Sequence, residues 1–472
     1  MMTQTSAYPD AADRIVVSSR RGAFFRSAAA RLWPWSDWIV LVVTAAALYP
    51  MFGRSSDLGP FYGAAARCVL HGEALLTCLP QYPYQPALAL FFIPIAFLPA
   101  ILQRLIWYVV CIGCLVIAVR LTEAIAERLY PGATRGQNLF WLRTIMLITC
   151  GKHFLDVITY ASHDPLSLAI IMFATWMLFN GRESAGGAWL AVAAAVRASP
   201  LIYFPYLIVK RRFVACLAFV ATFLIVSLIP DAISALRGGH TGQLTDWLGQ
   251  VVGPALVPGT SSKLVFWDIW NGANLYNQSL RGVINRFAAA PIFGLSPTTI
   301  LIAVDGMFAA LVGVLVLTSP RRREYIALDT AVLLIAMLAL SPMTSRYHYI
   351  LVLPAVILAT AATLADPRMR TLGTYVLTAS FLLRAGTSND LAGQRITDFA
   401  YTYGFMPLGA ILLYVIFAAM LWVWQPPGIG AEDSKAKSRP VRQSLMRWRT
   451  TLKAVESVLR VGGYRSDPVQ RM

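Results

Sequence analysis

Between residues 37 and 424, long apolar runs alternate with short polar or basic segments. A helix needs roughly 20 mostly apolar residues to cross the hydrocarbon core of a bilayer, and many of the runs approach that length. The pattern therefore predicts an all-α polytopic membrane protein. The twelve predicted helices span about residues 37–53, 102–119, 140–160, 165–180, 186–197, 199–209, 213–230, 298–318, 326–341, 349–365, 372–384 and 405–424.

Basic residues between the runs predict the orientation of the helices, because cytoplasmic loops carry an excess of Lys and Arg. The basic segments 1–36 and 425–472 are predicted to be cytoplasmic, on either side of a transmembrane domain at 37–424. Both can be cytoplasmic only if the short run 85–99 is re-entrant or half-inserted, which its bounding prolines favour. The two long outer loops then span about residues 54–84 and 231–297.

Composition supports a membrane-embedded chain. Of the 472 residues, 57% are hydrophobic and 13% are charged, and the mean hydropathy is +0.60; soluble domains carry about 25% charged residues. The net charge of +17 does not indicate nucleic acid, because the basic residues lie at helix ends and in the tails. Membrane lipids are the expected partners. Apolar positions four and three residues apart from Val441 to Leu459 predict an amphipathic tail helix on the inner leaflet, with a solvated tail as the alternative.

The first outer loop holds a candidate catalytic carboxylate. Asp57 follows the first predicted helix, and Tyr62 and Tyr84 lie in the same loop. A carboxylate beside a cavity can act as a general base on a hydroxyl; the alternative is that Asp57 is merely solvated. Cys68 and Cys78 share this loop, so a disulfide is one option if the loop faces an oxidising compartment.

Charged residues in other outward-facing turns form a second set of candidates. His163 and Asp164 occupy a short turn that either orients a substrate or is polar only because water covers it. Arg197, Arg346 and His348 lie at helix ends on the same predicted face. Arginine is rare within membranes and is usually paired or functional there, and its planar fork suits phosphate oxygens. Snorkelling to lipid headgroups is the alternative, and the His and carboxylate residues do not form a metal-site pattern.

The second outer loop combines amide and aromatic side chains. Asn274, Gln278 and Arg281 follow Trp267 and Trp270 in the sequence. Such mixtures are common in sugar-binding surfaces and also in ordinary interfacial loops. Substrate contact is therefore one of two interpretations of this segment.

Six short motifs follow one another between residues 57 and 349. They are Asp57-x4-Tyr62-Gly63-Ala64-Ala65; Gly72; Tyr84-Gln85-Pro86 with Pro94 and Leu98-Pro99; Gly186-Gly187 through Arg197-Ala198-Ser199-Pro200-Leu201; Asn277-Gln278-Ser279-Leu280-Arg281-Gly282; and Leu340-Ser341-Pro342-x5-His348-Tyr349. Their order resembles glycosyltransferase family 87, also called the DUF2029 family. The resemblance covers roughly residues 37–424, and although each motif is degenerate, their order is more specific.

The resemblance implies a GT-C-type fold and a polyprenyl-phosphate-mannose-dependent α-mannosyltransferase in the plasma membrane. Its partners would be a polyprenyl-phosphate-linked sugar donor and a lipid or glycan acceptor, and its active site would face the periplasm or the exterior. No P-loop or G-x-G-x-x-G motif occurs, and no cofactor is expected; a requirement for a divalent ion stays open.

The resemblance also implies roles for individual residues. Asp57 would be the catalytic base of an inverting transfer. Arg197, which stands where the family commonly has Lys, would bind the donor phosphate together with Arg346 and His348. The turn Ser162-His163-Asp164 departs from the family's usual Gly-Gln and a polar residue, which leaves the sugar and acceptor open. The expected substrate contacts are Tyr62, Tyr84, His163, Asp164, Asn274, Gln278 and Arg281.

Two other functional classes compete with the enzyme. A transporter or flippase of lipid-linked saccharides would need polar residues through the middle of its helices, where this sequence has few. A lipid-binding or scaffold protein could keep the same fold without activity.

Overall fold

The computed structural model describes residues 42, 44–50, 58–256, 274–287 and 296–428. Asp57, Trp267, Trp270, the segment 1–36 and the predicted tail helix lie outside these residues. Within them every regular element is a helix, and no strand is present. The all-α prediction is therefore confirmed for this part of the chain.

Twelve of these helices are labelled here in chain order. They are α1 (Ala64–His71), α2 (Ala100–Leu129), α3 (Gly136–Thr159), α4 (Asp164–Phe179), α5 (Glu183–Val196), α6 (Phe213–Leu236), α7 (Pro297–Thr318), α8 (Ile326–Ala339), α9 (Leu353–Ala365), α10 (Arg370–Arg384), α11 (Phe405–Ile411) and α12 (Leu413–Trp422).

Shorter elements connect them. They are π-helices at Leu58–Gly63 and Leu248–Val252, 3-10 helices at Pro86–Phe92, Ser199–Ile202, Arg323–Tyr325 and Arg346–Val352, and α-helices at Leu75–Cys78, Tyr203–Val209, Gln243–Trp247, Gly253–Leu256, Leu280–Phe287, Asn389–Ala392 and Gln394–Thr402.

Two helices form the centre of the bundle. Every residue of α8 is buried, and so is every residue of α9 from Leu353 to Thr363. Both sequences are apolar on all sides, which is the pattern of a helix surrounded by other helices. The central α9 packs against α2, α3 and α10, while α5 packs between α4 and α6.

Other helices expose apolar side chains to the outside of the bundle. Leu217 and Ile225 of α6 are 72% and 65% exposed, and Met307 of α7 is 69% exposed. A large outward-facing apolar surface fits lipid rather than water. In the described chain the helices long and apolar enough to cross a membrane are Ala100–Leu129, Phe213–Leu236, Thr298–Thr318, Arg346–Ala365 and Phe405–Trp422; shorter apolar helices are Asp164–Phe179, Glu183–Val196 and Ser199–Val209. The chain is therefore a polytopic membrane protein, and the count of twelve spans stays a prediction.

The segment 85–99 does not form a spanning helix, as predicted. It contains a seven-residue 3-10 helix at Pro86–Phe92, which begins where Gln85 caps the backbone N–H of Ala87. The Gln85 side chain also donates a hydrogen bond to Ser227 of α6. Because its backbone is covered by α1, α5 and α6, this irregular segment is compatible with membrane depth.

Two helices continue beyond their predicted ends. The helix predicted at 213–230 extends to Leu236, so residues 231–236 belong to α6 and not to the second outer loop. The helix predicted at 102–119 extends to Leu129, so Arg120 and Arg128 lie in α2. Buried Glu123 accounts for the longer helix, because it forms ion pairs with Arg120 at 3.3 Å and with Arg143 at 2.8 Å. Because these charges are paired, the helix can continue past them.

The helix termini that matter for function meet at one end of the bundle. There α3 ends, α4 begins, α5 ends and the 3-10 helix Arg346–Val352 begins; we call this the site end. A disulfide between Cys68 and Cys78, whose Cα atoms are 6.3 Å apart, links α1 to the helix Leu75–Cys78 in the loop that reaches this end. The disulfide that the sequence allowed is present.

The contact between α5 and α6 requires a glycine. A Cβ atom on Gly187 would lie 2.0 Å from the carbonyl oxygen of Ala215. We predict that Gly187→Ala lowers the free energy of unfolding by about 1–3 kcal/mol, because the two backbones must separate. The measurement is thermal unfolding of the purified protein in detergent.

Gly113→Ala is the matched control. A Cβ at Gly113 of α2 would meet nothing within 4 Å, so this variant should unfold at the wild-type temperature or slightly above it. Equal unfolding temperatures for Gly187→Ala and Gly113→Ala would contradict the close approach of the two helices.

Candidate active site

A buried ion pair lies at the centre of the site end. Asp164 is fully buried, and its Oδ1 accepts a hydrogen bond from Nη1 of Arg197, which is 8% exposed. Asp164 is the first residue of α4 and Arg197 caps the end of α5. Each charge therefore lies at the helix terminus whose dipole favours it. The Ser162 hydroxyl donates a further hydrogen bond to Asp164 Oδ2, so the carboxylate is well satisfied despite its burial.

Arg197 keeps donor capacity beyond this pair. Its Nε donates to Ser199 Oγ at 3.0 Å, and among the described residues none accepts a hydrogen bond from its Nη2. Tyr62, Tyr84 and Tyr347 lie close enough to interact with the guanidinium electrostatically. The guanidinium is thus a fixed cation surrounded by tyrosine rings. Its remaining N–H groups can donate hydrogen bonds to an anion.

His348 adds a second donor at the same place. Its Nδ1 accepts a hydrogen bond from the backbone N–H of Ser345 at 3.0 Å, so the neutral ring carries its hydrogen on Nε2. That Nε2 lies 3.7 Å from Asp164 Oδ2, too far for a hydrogen bond. It has no hydrogen-bond partner among the described residues, and it is therefore a donor available to a substrate oxygen.

Four ring side chains pack together beside the ion pair. They are Tyr62, Tyr84, Phe92 and His163, and we call them the aromatic wall. The hydroxyl of Tyr62 and Nδ1 of His163 are 3.1 Å apart, and the rings of Tyr84 and His163 are 4.5 Å apart. Tyr62 also stacks on Phe92 of the irregular segment, with ring centroids 4.5 Å apart. Burial lowers the pKa of His163 well below its usual range, and the charge of Arg197 lowers the pKa further. His163 is therefore neutral near pH 7.

The structure brings together six of the residues that the sequence selected. They are Tyr62, Tyr84, His163, Asp164, Arg197 and His348. Arg346 lies next to this group but faces away: its Nη2 donates to the Tyr160 hydroxyl at 2.6 Å, and its Nε lies 3.5 Å from Asp156 Oδ2. Asp57 lies outside the described residues.

The three candidates of the second outer loop contact the bundle, and their role in substrate binding stays a prediction. Buried Gln278 donates from Nε2 to the carbonyl oxygens of Leu275 and Tyr401. The carbonyl of Asn274 accepts a hydrogen bond from Arg286. Arg281 interacts electrostatically with Asp305 of α7. These contacts join the segment 274–287 to the bundle, and in the described residues they do not connect it to Asp164 or Arg197.

Three polar residues in and just after α3 were not selected from the sequence as candidates for the site. Lys152 and Asp156 lie inside a predicted membrane helix, and Tyr160 follows its end. Ionisable residues within an apolar helix are functional candidates by default, and the four-residue spacing of Lys152 and Asp156 was a usable signal.

Among the residues that the structure describes, one group has the ligand types of a metal site. The side chains of Cys68, Glu73 and Cys78 lie close together. The two sulfur atoms are joined in a disulfide, so they cannot act as thiolate ligands.

Comparison with known proteins identifies the family of the chain. The model of glycosyltransferase family 87 matches residues 82–345, more than half of the 472 residues. A polyprenol-phosphate-mannose-dependent alpha-(1-2)-phosphatidylinositol pentamannoside mannosyltransferase of Mycobacterium tuberculosis (strain CDC 1551 / Oshkosh) is 26% identical over 325 residues, 66% of this chain and 67% of that protein. No solved structure matches the chain.

The lowered pKa of His163 predicts a loss of stability in acid. Below the ordinary value of 6.5, the unfolded chain binds a proton at His163 that the folded chain does not bind. Stability should therefore fall as the pH falls through this value, by up to about 1.4 kcal/mol per pH unit from this group. In His163→Gln this part of the loss should be absent, as measured by thermal unfolding in detergent between pH 8 and pH 5. Above pH 7 the unfolding temperatures of wild type and His163→Gln should change with pH in parallel. The same dependence of unfolding temperature on pH in both proteins below pH 6 would contradict the prediction.

Proposed function

The chain belongs to glycosyltransferase family 87 and is a membrane glycosyltransferase, and from this premise we propose the reaction that its site performs. The protein transfers mannose, with inversion, from polyprenyl-phosphate-mannose to a hydroxyl of a lipid or glycan acceptor. The relative from Mycobacterium tuberculosis, whose name specifies a polyprenol-phosphate-mannose donor, supports this choice of donor.

The observation that carries the proposal is the pair of donors beside Asp164. Arg197 Nη2 and His348 Nε2 both lack a hydrogen-bond partner in the described chain, and both lie at the buried site end. Negative charge develops on the phosphate as the bond from the anomeric carbon to the phosphate oxygen breaks. Fixed donors in a water-poor cleft stabilise such charge more strongly than water does.

Asp57 is the proposed general base. It takes the proton of the acceptor hydroxyl while that oxygen forms a bond to the anomeric carbon and polyprenyl phosphate departs. Asp164 suits this role poorly, because Arg197 and Ser162 already bind its oxygens. The position of Asp57 in the chain supports the assignment: the next residue, Leu58, is 1% exposed and begins the π-helix that carries Tyr62 to His163.

The proposal includes a location for the reaction. The enzyme lies in the inner (plasma) membrane with a GT-C-type arrangement of about twelve spans. Both basic segments are cytoplasmic, and the site end faces the periplasm or the exterior. The positive-inside distribution of basic residues supports this orientation. A donor in the outer leaflet needs no nucleotide, in keeping with the lack of a nucleotide-binding motif in the sequence.

Asp57→Asn tests the base. We expect sugar transfer to fall by a factor of about 100 or more. The amide of Asn has nearly the same shape as the carboxylate but cannot take the proton of the substrate hydroxyl. The assay uses proteoliposomes with radiolabelled polyprenyl-phosphate-mannose and a membrane lipid extract. Glu73→Gln, which changes an exposed carboxylate of the same loop, should retain activity. Equal transfer by Asp57→Asn and wild type would refute the base assignment, and no transfer by wild type would refute the proposed donor.

Arg197→Ala tests the phosphate contact. We expect kcat/KM for the donor to fall about 10- to 100-fold, with a raised donor KM, because a hydrogen bond to a charged group is lost. Arg197→Lys keeps the charge that Asp164 requires and should lose less. Thermal unfolding of both variants separates a catalytic loss from a folding defect. A donor dependence unchanged in Arg197→Ala would contradict the role.

A further inference from the structure

Two polar side chains of α3, and a third just after its C-terminal end, follow one another on one face of the helix. Lys152, Asp156 and Tyr160 are four residues apart, a spacing that places side chains one above another on a helix. Lys152 Nζ lies 3.3 Å from Asp156 Oδ1, and Arg346 reaches Tyr160 and Asp156 from the facing 3-10 helix. We call these four residues the α3 cluster.

The α3 cluster has unused hydrogen-bonding capacity in a buried setting. Asp156 has a side chain that is 4% exposed, and its Oδ2 accepts no hydrogen bond from a described residue. Buried carboxylate oxygens normally have partners, so this oxygen is suited to a donor from outside the protein. The cluster also reaches the surface, since the side chains of Lys152 and Arg346 stay 19% and 24% exposed.

The α3 cluster is continuous with the active site through two aromatic rings. Tyr160 and Tyr347 have ring centroids 5.5 Å apart with their planes 34° apart, and Tyr347 lies 4.4 Å from His348. A molecule that contacts Tyr160 can therefore extend across Tyr347 to the reacting centre at His348 and Arg197.

We propose that the α3 cluster is the acceptor subsite and binds the hexose unit whose hydroxyl receives the transferred sugar. This inference rests on the proposed function. A hexose both donates and accepts hydrogen bonds: a hydroxyl hydrogen fits Asp156 Oδ2, and hydroxyl oxygens fit the N–H groups of Arg346 and Lys152. The tyrosine rings provide an apolar surface with polar tips for the sugar ring.

The charge balance favours a neutral sugar over a second phosphate. Two cations of the region, Lys152 and Arg346, are matched by Asp156 and by Asp390, which pairs with Lys152. At the donor site Arg197, Ser162 and a helix N-terminus satisfy Asp164, whereas Asp156 Oδ2, 3.5 Å from Arg346 Nε, accepts no hydrogen bond from a described residue. Hydroxyl groups are therefore the matching ligands of the α3 cluster.

Initial rates in proteoliposomes test the subsite. Donor and acceptor dependence are measured separately, with polyprenyl-phosphate-mannose and a membrane lipid extract, for wild type, Asp156→Asn and Tyr160→Phe. We expect the acceptor KM to rise at least about ten-fold in Asp156→Asn, the loss expected when a hydrogen bond to a charged group is removed. The donor KM should stay within about two-fold. Tyr160→Phe removes one hydroxyl and should shift the acceptor KM in the same direction.

Asp366→Asn is the matched control. Asp366 forms a comparable ion pair with Arg368 at 2.6 Å, but it follows the other end of α9. Both KM values should be unchanged in this variant. A raised donor KM in Asp156→Asn with an unchanged acceptor KM would overturn the inference, and so would unchanged values for both substrates.

A binding measurement separates this inference from the proposed function. If the wild type transfers no sugar, saturation-transfer NMR with methyl α-D-mannopyranoside tests hexose binding to the purified full chain. A signal in the wild type that is lost in Asp156→Asn and kept in Asp366→Asn supports the subsite even then. Absence of a signal in the wild type, or equal signals in the two variants, overturns it.

Discussion

The buried ion pair of Asp164 and Arg197 is the interaction on which the site depends. Two charges removed from water are tolerated only when geometry and further hydrogen bonds compensate for desolvation; here two helix termini, Ser162 and Ser199 provide that compensation. The pair joins the start of α4 to the end of α5, around which the aromatic wall and His348 are arranged. A second buried pair, Lys210 and Asp329 at 3.1 Å, joins the end of the helix Tyr203–Val209 to the first turn of α8.

Most of the fold follows from the hydrophobic pattern, because membrane helices must satisfy their backbone internally. The runs that became α8 and α9 are apolar on all sides, and the positive-inside rule required the segment 85–99 not to span, which the 3-10 helix Pro86–Phe92 confirms. The end of α2 could not be predicted in the same way. Arg120 and Arg128 resemble loop residues in one dimension, and only the position of Glu123 against Arg143 shows why the helix continues.

The candidate site was predictable in part for a related reason. His163, Asp164 and Arg197 lie at helix ends that the pattern already placed on one face. Arg346 and His348 are two residues apart and were expected to act together, but they lie in a 3-10 helix of about three residues per turn, so their side chains point to different sides. Arg346 faces Asp156, whereas His348 faces Asp164. Contacts of this kind depend on the packing of α3 against the segment 346–352.

We propose that Arg197 and His348 present hydrogen-bond donors to the phosphate of a lipid-linked sugar. The most direct measurement is an experimental structure of the full chain with polyprenyl phosphate bound. We expect phosphate oxygens about 3 Å from Arg197 Nη2 and from His348 Nε2, at the site end. A phosphate bound at the opposite end of the bundle, or at the α3 cluster with Arg197 contacting only Asp164 and Ser199, would contradict it.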